Sequence, residues 1–188
     1  MRLLIASDIH GSTESLHILL DKARAMRPDH VVLLGDLLYH GPRNPLPGSY
    51  GPKGMPDGFR ELMDICPVIA VRGNCDAEVD LFVLPFGGSM NESCWLVDGP
   101  REIFVSHGHH IPEQPPMGGF KKGTIFLRGH THVPRGEEID GYFFWNPGSM
   151  TLPKQGWPRS YAVCEDGRFR VLTLDDQLVL EHAVMAGE

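Results

Sequence analysis

Short, unbroken apolar runs recur along this chain, and most are followed closely by glycine, aspartate or histidine. Runs of that length bounded by turn residues predict buried strands. Residues 2–7, 30–34 and 68–71 form the first three. Between the first two, Leu16, Leu19, Leu20 and Ala23 recur at helical spacing, with Ser12 or Thr13 as N-cap and Pro28 closing the helix. Residues 41–56 are dense in Pro and Gly and predict an irregular loop. A short helix is expected after it, capped by Asp57, with Phe59, Leu62 and Met63 facing inward.

Further along, strand signals dominate. Residues 94–97 and 102–106 flank the turn Asp98-Gly99-Pro100, and residues 124–127 form another apolar run. Asp140-Gly141 and Asp166-Gly167 each sit between strand-like segments and predict hairpins. The first half thus reads as βαβαβ with a parallel sheet, and the second as mostly antiparallel. Two sheets face to face with helices outside accommodate both halves in one α/β domain spanning residues 1–188.

The chain carries 17 basic and 24 acidic residues, a formal charge of -7, which argues against broad binding to nucleic acid or anionic membranes. No basic stripe interleaved with aromatics appears, so polymeric nucleic acid is not an expected partner. The four cysteines, Cys66, Cys75, Cys94 and Cys164, make no C-x-x-C pair. Met1 leads directly into a strand-like segment, and no apolar run is long enough to span a bilayer. A cytoplasmic protein with reduced thiols is expected.

The chemistry lies where the runs end. They read Asp8-Ile9-His10-Gly11, Gly35-Asp36, Gly73-Asn74-Cys75-Asp76, His107-Gly108-His109 and Gly129-His130-Thr131-His132. In extended chain the period of two puts Asp8 beside His10 and His130 beside His132. Carboxyl ends of strands in α/β sheets converge on sites. Each piece alone is an ordinary turn sequence, but all five in order are hard to explain by packing.

This ordered set resembles the calcineurin-like metallophosphoesterase superfamily, and Gly73-Asn74-Cys75-Asp76 with His40-Gly41-Pro42-Arg43-Asn44 resembles its small bacterial YfcE-like phosphodiesterase subgroup. The match runs from Asp8 to Asn146-Pro147-Gly148-Ser149. The resemblance implies a four-layer α/β/β/α sandwich of two mixed sheets. It implies one metal at Asp8, His10, Asp36 and His132, and a second at Asp36, Asn74, His107 and His130, with Asp36 bridging. It implies manganese as the activating ion; mixed oxygen and nitrogen ligation also suits Zn²⁺, Fe²⁺ or Ni²⁺. Asp36, Asn74 and His107 are then the catalytic candidates, and Asn74, Cys75, His40, Arg43 and His109 the candidates for substrate contact.

The expected reaction is hydrolysis of small phosphodiesters, two ions activating a bridging water for in-line attack. Many members of the superfamily carry histidine where Cys75 stands, and that histidine is thought to assist the leaving group. Cys75 is read as a small filler, which points to substrates whose leaving group departs unaided. Phosphomonoesters are an alternative, as is a non-catalytic scaffold resembling the retromer subunit of this fold. Arg72 and Asp76 are read as a local ion pair or turn support, and His17, His30 and His182 as ordinary helix, strand or tail residues. Self-association through Tyr142-Phe143-Phe144-Trp145 and Leu178-Val179-Leu180 is weighed against a buried strand face, which is preferred.

Overall fold

Strands β1 (Arg2–Ala6), β2 (His30–Leu33) and β3 (Val68–Ala70) pair in parallel, and the helices that return the chain between them lie on one face. The computed structural model describes residues 1–184. Helix α1 (Thr13–Met26) begins at Ser12, whose hydroxyl accepts from Ser15 N–H, and ends at Arg27 in a left-handed cap. Its predicted stripe is buried throughout.

Helix α2 (Met55–Ile65) differs from the expected one. Pro56 lies inside its first turn, where a missing N–H costs nothing, so the helix begins before Asp57. Asp57 is therefore not the cap; it pairs with Arg60 on the surface. Met63 points outward and is 43% exposed, while Met55 takes the buried position one turn before Phe59. The loop before α2 also holds a single 3-10 turn at Pro52–Gly54. A one-turn helix, α3 (Asp80–Val83), follows β3.

The second half supplies β4 (Ser93–Asp98), β5 (Arg101–Ser106), β6 (Ile125–Leu127), β7 (Arg135–Ile139), β8 (Tyr142–Asn146), β9 (Ser160–Glu165), β10 (Arg168–Thr173) and β11 (Leu178–Ala183). Both Asp-Gly turns hold positive φ at Asp and Gly, the geometry that matches strand twist in two-residue hairpins. Strands β9–β11 join the first sheet, order β11-β10-β9-β1-β2-β3. The rest form a second sheet, order β4-β5-β6-β8-β7. There the expectation of mostly antiparallel pairing fails in part, because β5, β6 and β8 run parallel.

Alternation along β1 shows the layering: Leu3 and Ile5 face the second sheet, Leu4 and Ala6 face the helices. Between the sheets they meet Val105, Leu127 and Trp145, with Trp145 stacked on Phe169 at 4.8 Å. Both faces of the first sheet are buried, so its parallel strands read as continuous apolar runs. On the outer face of the second sheet, Phe104, Phe126 and Phe144 are covered by Ile111, Met117 and Phe120 from an irregular segment. The fourth layer is thus loop rather than helix among the described residues. Of the two segments weighed for self-association, β8 lies inside its sheet with Phe144 and Trp145 buried. β11 is an edge strand with Leu178 exposed. No helix among the described residues is long and apolar enough to cross a membrane.

Candidate metal centre

Beyond the ends of β1, β2, β3, β5 and β6, the chain turns sharply and delivers its polar side chains to one spot. Asp8, His10, Asp36, His130 and His132 all have positive φ, between 49° and 65°. This replaces the period-two argument: the ligand candidates stand in left-handed turns past the strands, so alternation does not aim them. Two glycines make room. A Cβ on Gly73 would fall 2.1 Å from Asp36 Oδ1, and one on Gly129 would fall 1.9 Å from Ser7 Oγ.

Three buried imidazoles anchor the centre in the same way. Nδ1 of His10 meets the Tyr39 carbonyl at 2.8 Å, Nδ1 of His107 meets the Leu34 carbonyl at 2.6 Å, and Nδ1 of His132 meets the Leu152 carbonyl. A carbonyl only accepts, so each Nδ1 carries the hydrogen and each neutral ring presents a lone pair at Nε2. Those Nε2 atoms converge on other acceptors. His10 Nε2 faces His132 Nε2 at 3.3 Å, and His132 Nε2 lies 3.2 Å from Asp8 Oδ1. His107 Nε2 lies 3.4 Å from Asp36 Oδ2 and 3.0 Å from Asn74 Oδ1.

Acceptor facing acceptor in a buried site calls for a cation. Asp8 Oδ1 is buried with no hydrogen-bond partner, although His132 is near. Asp8, His10 and His132 have ligand atoms within 4.8 Å of one another, and so do Asp8, Asp36 and His107. The two groups share Asp8, and His10 Nε2 of one stands 3.8 Å from Asp36 Oδ2 of the other. Asn74 turns its amide nitrogen to Cys75 Sγ, leaving its oxygen for the centre. His130 stands at the rim, half-buried, with its ring 5.1 Å from that of His107.

The electrostatics follow. Burial pushes Asp8 up, but the surrounding His132, His107 and His10 outweigh it and its carboxyl is held below the usual range. Asp36 behaves likewise beside His107. Burial lowers His107, but with no ion bound its Nε2 hydrogen bond to Asp36 and the charge of Asp8 outweigh this and raise it to about 9, so a cation at Nε2 would take the place of that proton. Burial lowers His10 and His130.

Around the centre is a supporting layer that motif reading did not assign. Ser7 Oγ and His130 N–H both donate to Asp8 Oδ2, and Ser149 Oγ donates to the Asp8 carbonyl. Asn146 Nδ2 donates to the Gly129 carbonyl. A turn sequence, Asn146-Pro147-Gly148, directly after an apolar run was the available signal, since it repeats the pattern of the ligand segments. Asp76, read as turn support, binds Asp36 N–H, Leu37 N–H and Gly73 N–H.

The centre opens into a cleft of about 780 Å³ lined by Tyr39, Arg43, Cys75, Glu113 and Lys154 among others. Arg43, Asn74 and Cys75 thus stand where substrate would enter. His40 does not line it; its ring packs edge-on between Tyr39 and Tyr50. His109 is also outside the cleft, with its ring 5.4 Å from that of His107 and its Nε2 facing Glu92.

Fold and site together define a metallohydrolase type in which carboxylates and imidazoles gather at sheet ends, where they could hold metal ions. The chain belongs to the calcineurin-like phosphoesterase superfamily, whose domain model matches residues 1–166. It is 38% identical over 181 residues, 96% of each chain, to phosphodiesterase YfcE of Escherichia coli K12. The structure of the E. coli phosphoesterase Yfce superposes with a TM-score of 0.88, at 34% identity, covering 97% of this chain and 99% of that one. A zinc complex of Entamoeba histolytica Vps29 shares the fold, with a TM-score of 0.61 at 23% identity over 98% of each chain.

Proposed function

We propose that this protein is a dinuclear metal-dependent phosphodiesterase acting on small phosphodiesters in the cytoplasm, with manganese as the working ion. The observation that carries the reading is the set of three imidazoles whose Nδ1–H groups are tied to backbone carbonyls, leaving their Nε2 lone pairs aimed at Asp8 and Asp36. Such carbonyl-oriented histidines are the usual form of metal-bound imidazole. Asp8, His10 and His132 would hold one ion, His107, Asn74 and His130 the other, and Asp36 would serve both. When bound, the two ions supply an acidified water and offset the charge that builds on phosphate.

The chain's own groups set the rest. Asp36 is held by the Cys75 N–H at 2.8 Å and by the turn that Asp76 fixes. Arg43 and Tyr39 border the path by which an ester reaches the centre. Cys75 Sγ keeps its proton: burial and the nearby Asp36 push it up to about 12. A thiol that weak gives little help to a departing alkoxide, so leaving groups that depart as stable anions are favoured. Diesters with an aryl arm meet that condition.

The test uses protein stripped with chelator and reloaded with Mn²⁺, offered bis-p-nitrophenyl phosphate and p-nitrophenyl phosphate. Diester hydrolysis should return with Mn²⁺ and fall by at least about 10³-fold in Asp36→Ala. A faster monoester would favour the phosphomonoesterase reading. No turnover of either ester, with Asp36→Ala binding Mn²⁺ as well as the parent, would favour a scaffold.

A further inference from the structure

Two cations stand in the cleft without a carboxylate to answer them. Arg43 and Lys154 both line it, and neither comes within 4.0 Å of an acidic group among the described residues. Elsewhere Arg2 meets Glu165, Lys22 meets Asp176 and Arg168 meets Glu181, while Arg27, Lys53, Lys122, Arg128 and Arg170 also have no acidic partner among the described residues. What sets Arg43 and Lys154 apart is their place: both line the opening of the candidate metal centre, in a chain of net charge -7.

Both are carried on fixed backbone. Lys154 N–H donates to the carbonyl of His132, and the Leu152 carbonyl accepts from the ring of His132, so the 152–154 segment is tied twice to a metal-ligand candidate. Arg43 follows Gly41, which packs so close to Cys75 that a Cβ there would meet Sγ at 2.9 Å, and Asn44 Nδ2 donates to the His40 carbonyl. Their neighbours in the cleft include one aromatic face, Tyr39, 41% exposed, and one carboxylate apart from Asp36 and Asp76, that of Glu113.

A phosphodiester carries one negative charge, which the ions at the centre would already answer. Arg43 and Lys154 therefore answer to charge elsewhere on the same molecule. Resting on the function proposed above, we infer that the substrate is a phosphodiester bearing a second anionic group, a phosphate or carboxylate on one esterified arm, which Arg43 and Lys154 receive while Tyr39 packs against the arm between. The two cations then act as specificity-determining residues. They choose among diesters; the reaction at phosphorus is unaffected by them.

Binding and turnover are measured separately. By calorimetry, Mn²⁺-loaded protein is titrated with thymidine 3′,5′-bisphosphate and with thymidine 5′-monophosphate. The bisphosphate should bind about tenfold more tightly, the scale of two exposed ion pairs. That ratio should shrink toward one in Arg43→Ala/Lys154→Ala, shrink comparably in Lys154→Glu, which lowers the charge by the same two units, and fall as NaCl is raised, because exposed charges are screened. Equal binding by the parent, or a ratio the double variant leaves intact, would overturn the inference. Turnover is then compared for thymidine 5′-(p-nitrophenyl phosphate) and its 3′-phosphorylated form, which share a leaving group. If neither is hydrolysed while the binding ratio behaves as described, the diesterase reading fails and the two-anion site stands. If both are hydrolysed with equal KM in parent and variant, the diesterase reading stands and the two-anion site fails.

Discussion

Asp76→Ala should destabilise this protein more than an ordinary surface change, and the structure sets the size. Asp76 is 4% exposed and its carboxylate accepts three backbone N–H groups, from Asp36 at 2.8 Å, Leu37 at 2.8 Å and Gly73 at 2.7 Å. It therefore joins the turn carrying Asp36 to the turn carrying Asn74. Without the carboxylate these three buried N–H groups lose their acceptor, at roughly 1–3 kcal/mol each, so the gross loss is about 3–9 kcal/mol. Against this stands the charge. Burial outweighs the pull of these same three bonds and leaves the Asp76 carboxyl raised to about 6 from an ordinary 3.8. At pH 7.5 the ionised form is thus on balance about 3 kcal/mol less favourable in the fold than in the open chain, at roughly 1.36 kcal/mol per pH unit. The difference leaves a net loss of about 3 kcal/mol for Asp76→Ala. Asp76→Asn keeps one oxygen for the two N–H groups that now share Oδ2, sheds the charge, and leaves Leu37 N–H unpartnered; it should lose about 2 kcal/mol less. Urea unfolding followed by circular dichroism, with chelator present throughout, reads both values. A loss below about 1 kcal/mol for Asp76→Ala, or equal losses for the two variants, would refute the ledger.

Two further outcomes follow from the cysteines. Cys75→His supplies a proton donor where the thiol holds its proton too tightly to give it, so it should speed an alkyl diester by about tenfold more than bis-p-nitrophenyl phosphate; equal gains on both esters would count against leaving-group assistance. Burial pushes Cys164 up to about 12 from an ordinary 9, so its neutral form contributes stability in full below pH 9 and loses it as pH rises through about 12. Melting temperature should therefore fall between pH 9 and 11 by more in the parent than in Cys164→Ala, at up to about 1.4 kcal/mol per pH unit; parallel curves would sink this.

How much of this was legible in the sequence differs between elements for physical reasons. Helix α1 and both Asp-Gly hairpins were readable because their signals are local: a capped stripe, and two residues that accept positive φ. The inward set of α2 was not, because Pro56 moved the start of the helix and with it the buried face. The parallel run of β5, β6 and β8 was hidden because direction is set by where chain 107–123 crosses, and β6 has only three residues. The seven proposed metal ligands all lie in turns that follow apolar runs, and the resemblance to the superfamily singled them out there from neighbours such as Cys75 and His109. Asn146, Ser149 and Lys154 were not assigned because each binds backbone farther along the chain: Ser149 lies 141 residues from the Asp8 carbonyl it binds. Ser7 donates to the side chain of its neighbour Asp8, a contact no local pattern marks.

Left-handed backbone at five ligand positions has an energetic consequence that can be measured without any ion. A side chain with a Cβ costs roughly 1–2 kcal/mol in that region, so Asp8, His10, Asp36, His130 and His132 together hold on the order of 5–10 kcal/mol of strain, less where Asp tolerates the turn. Folding tolerates it because the five turns are over-determined: His10 N–H donates to the Asp36 carbonyl, Asp8 N–H to the Gly35 carbonyl and His130 N–H to Asp8. The strain aims the ligands, and ion binding repays it. His130 isolates this term best, since its half-buried ring at the rim has no hydrogen bond of its own among the described residues. In the presence of chelator, His130→Gly should be more stable than His130→Ala by about 0.5–1 kcal/mol, the relief at φ 65° exceeding the extra backbone entropy of glycine. Both should lose affinity for the second ion alike, because the missing imidazole is the same in each. If His130→Ala proves the more stable in chelator, the turn is not strained and the geometry of the centre is set by the ions rather than by the chain.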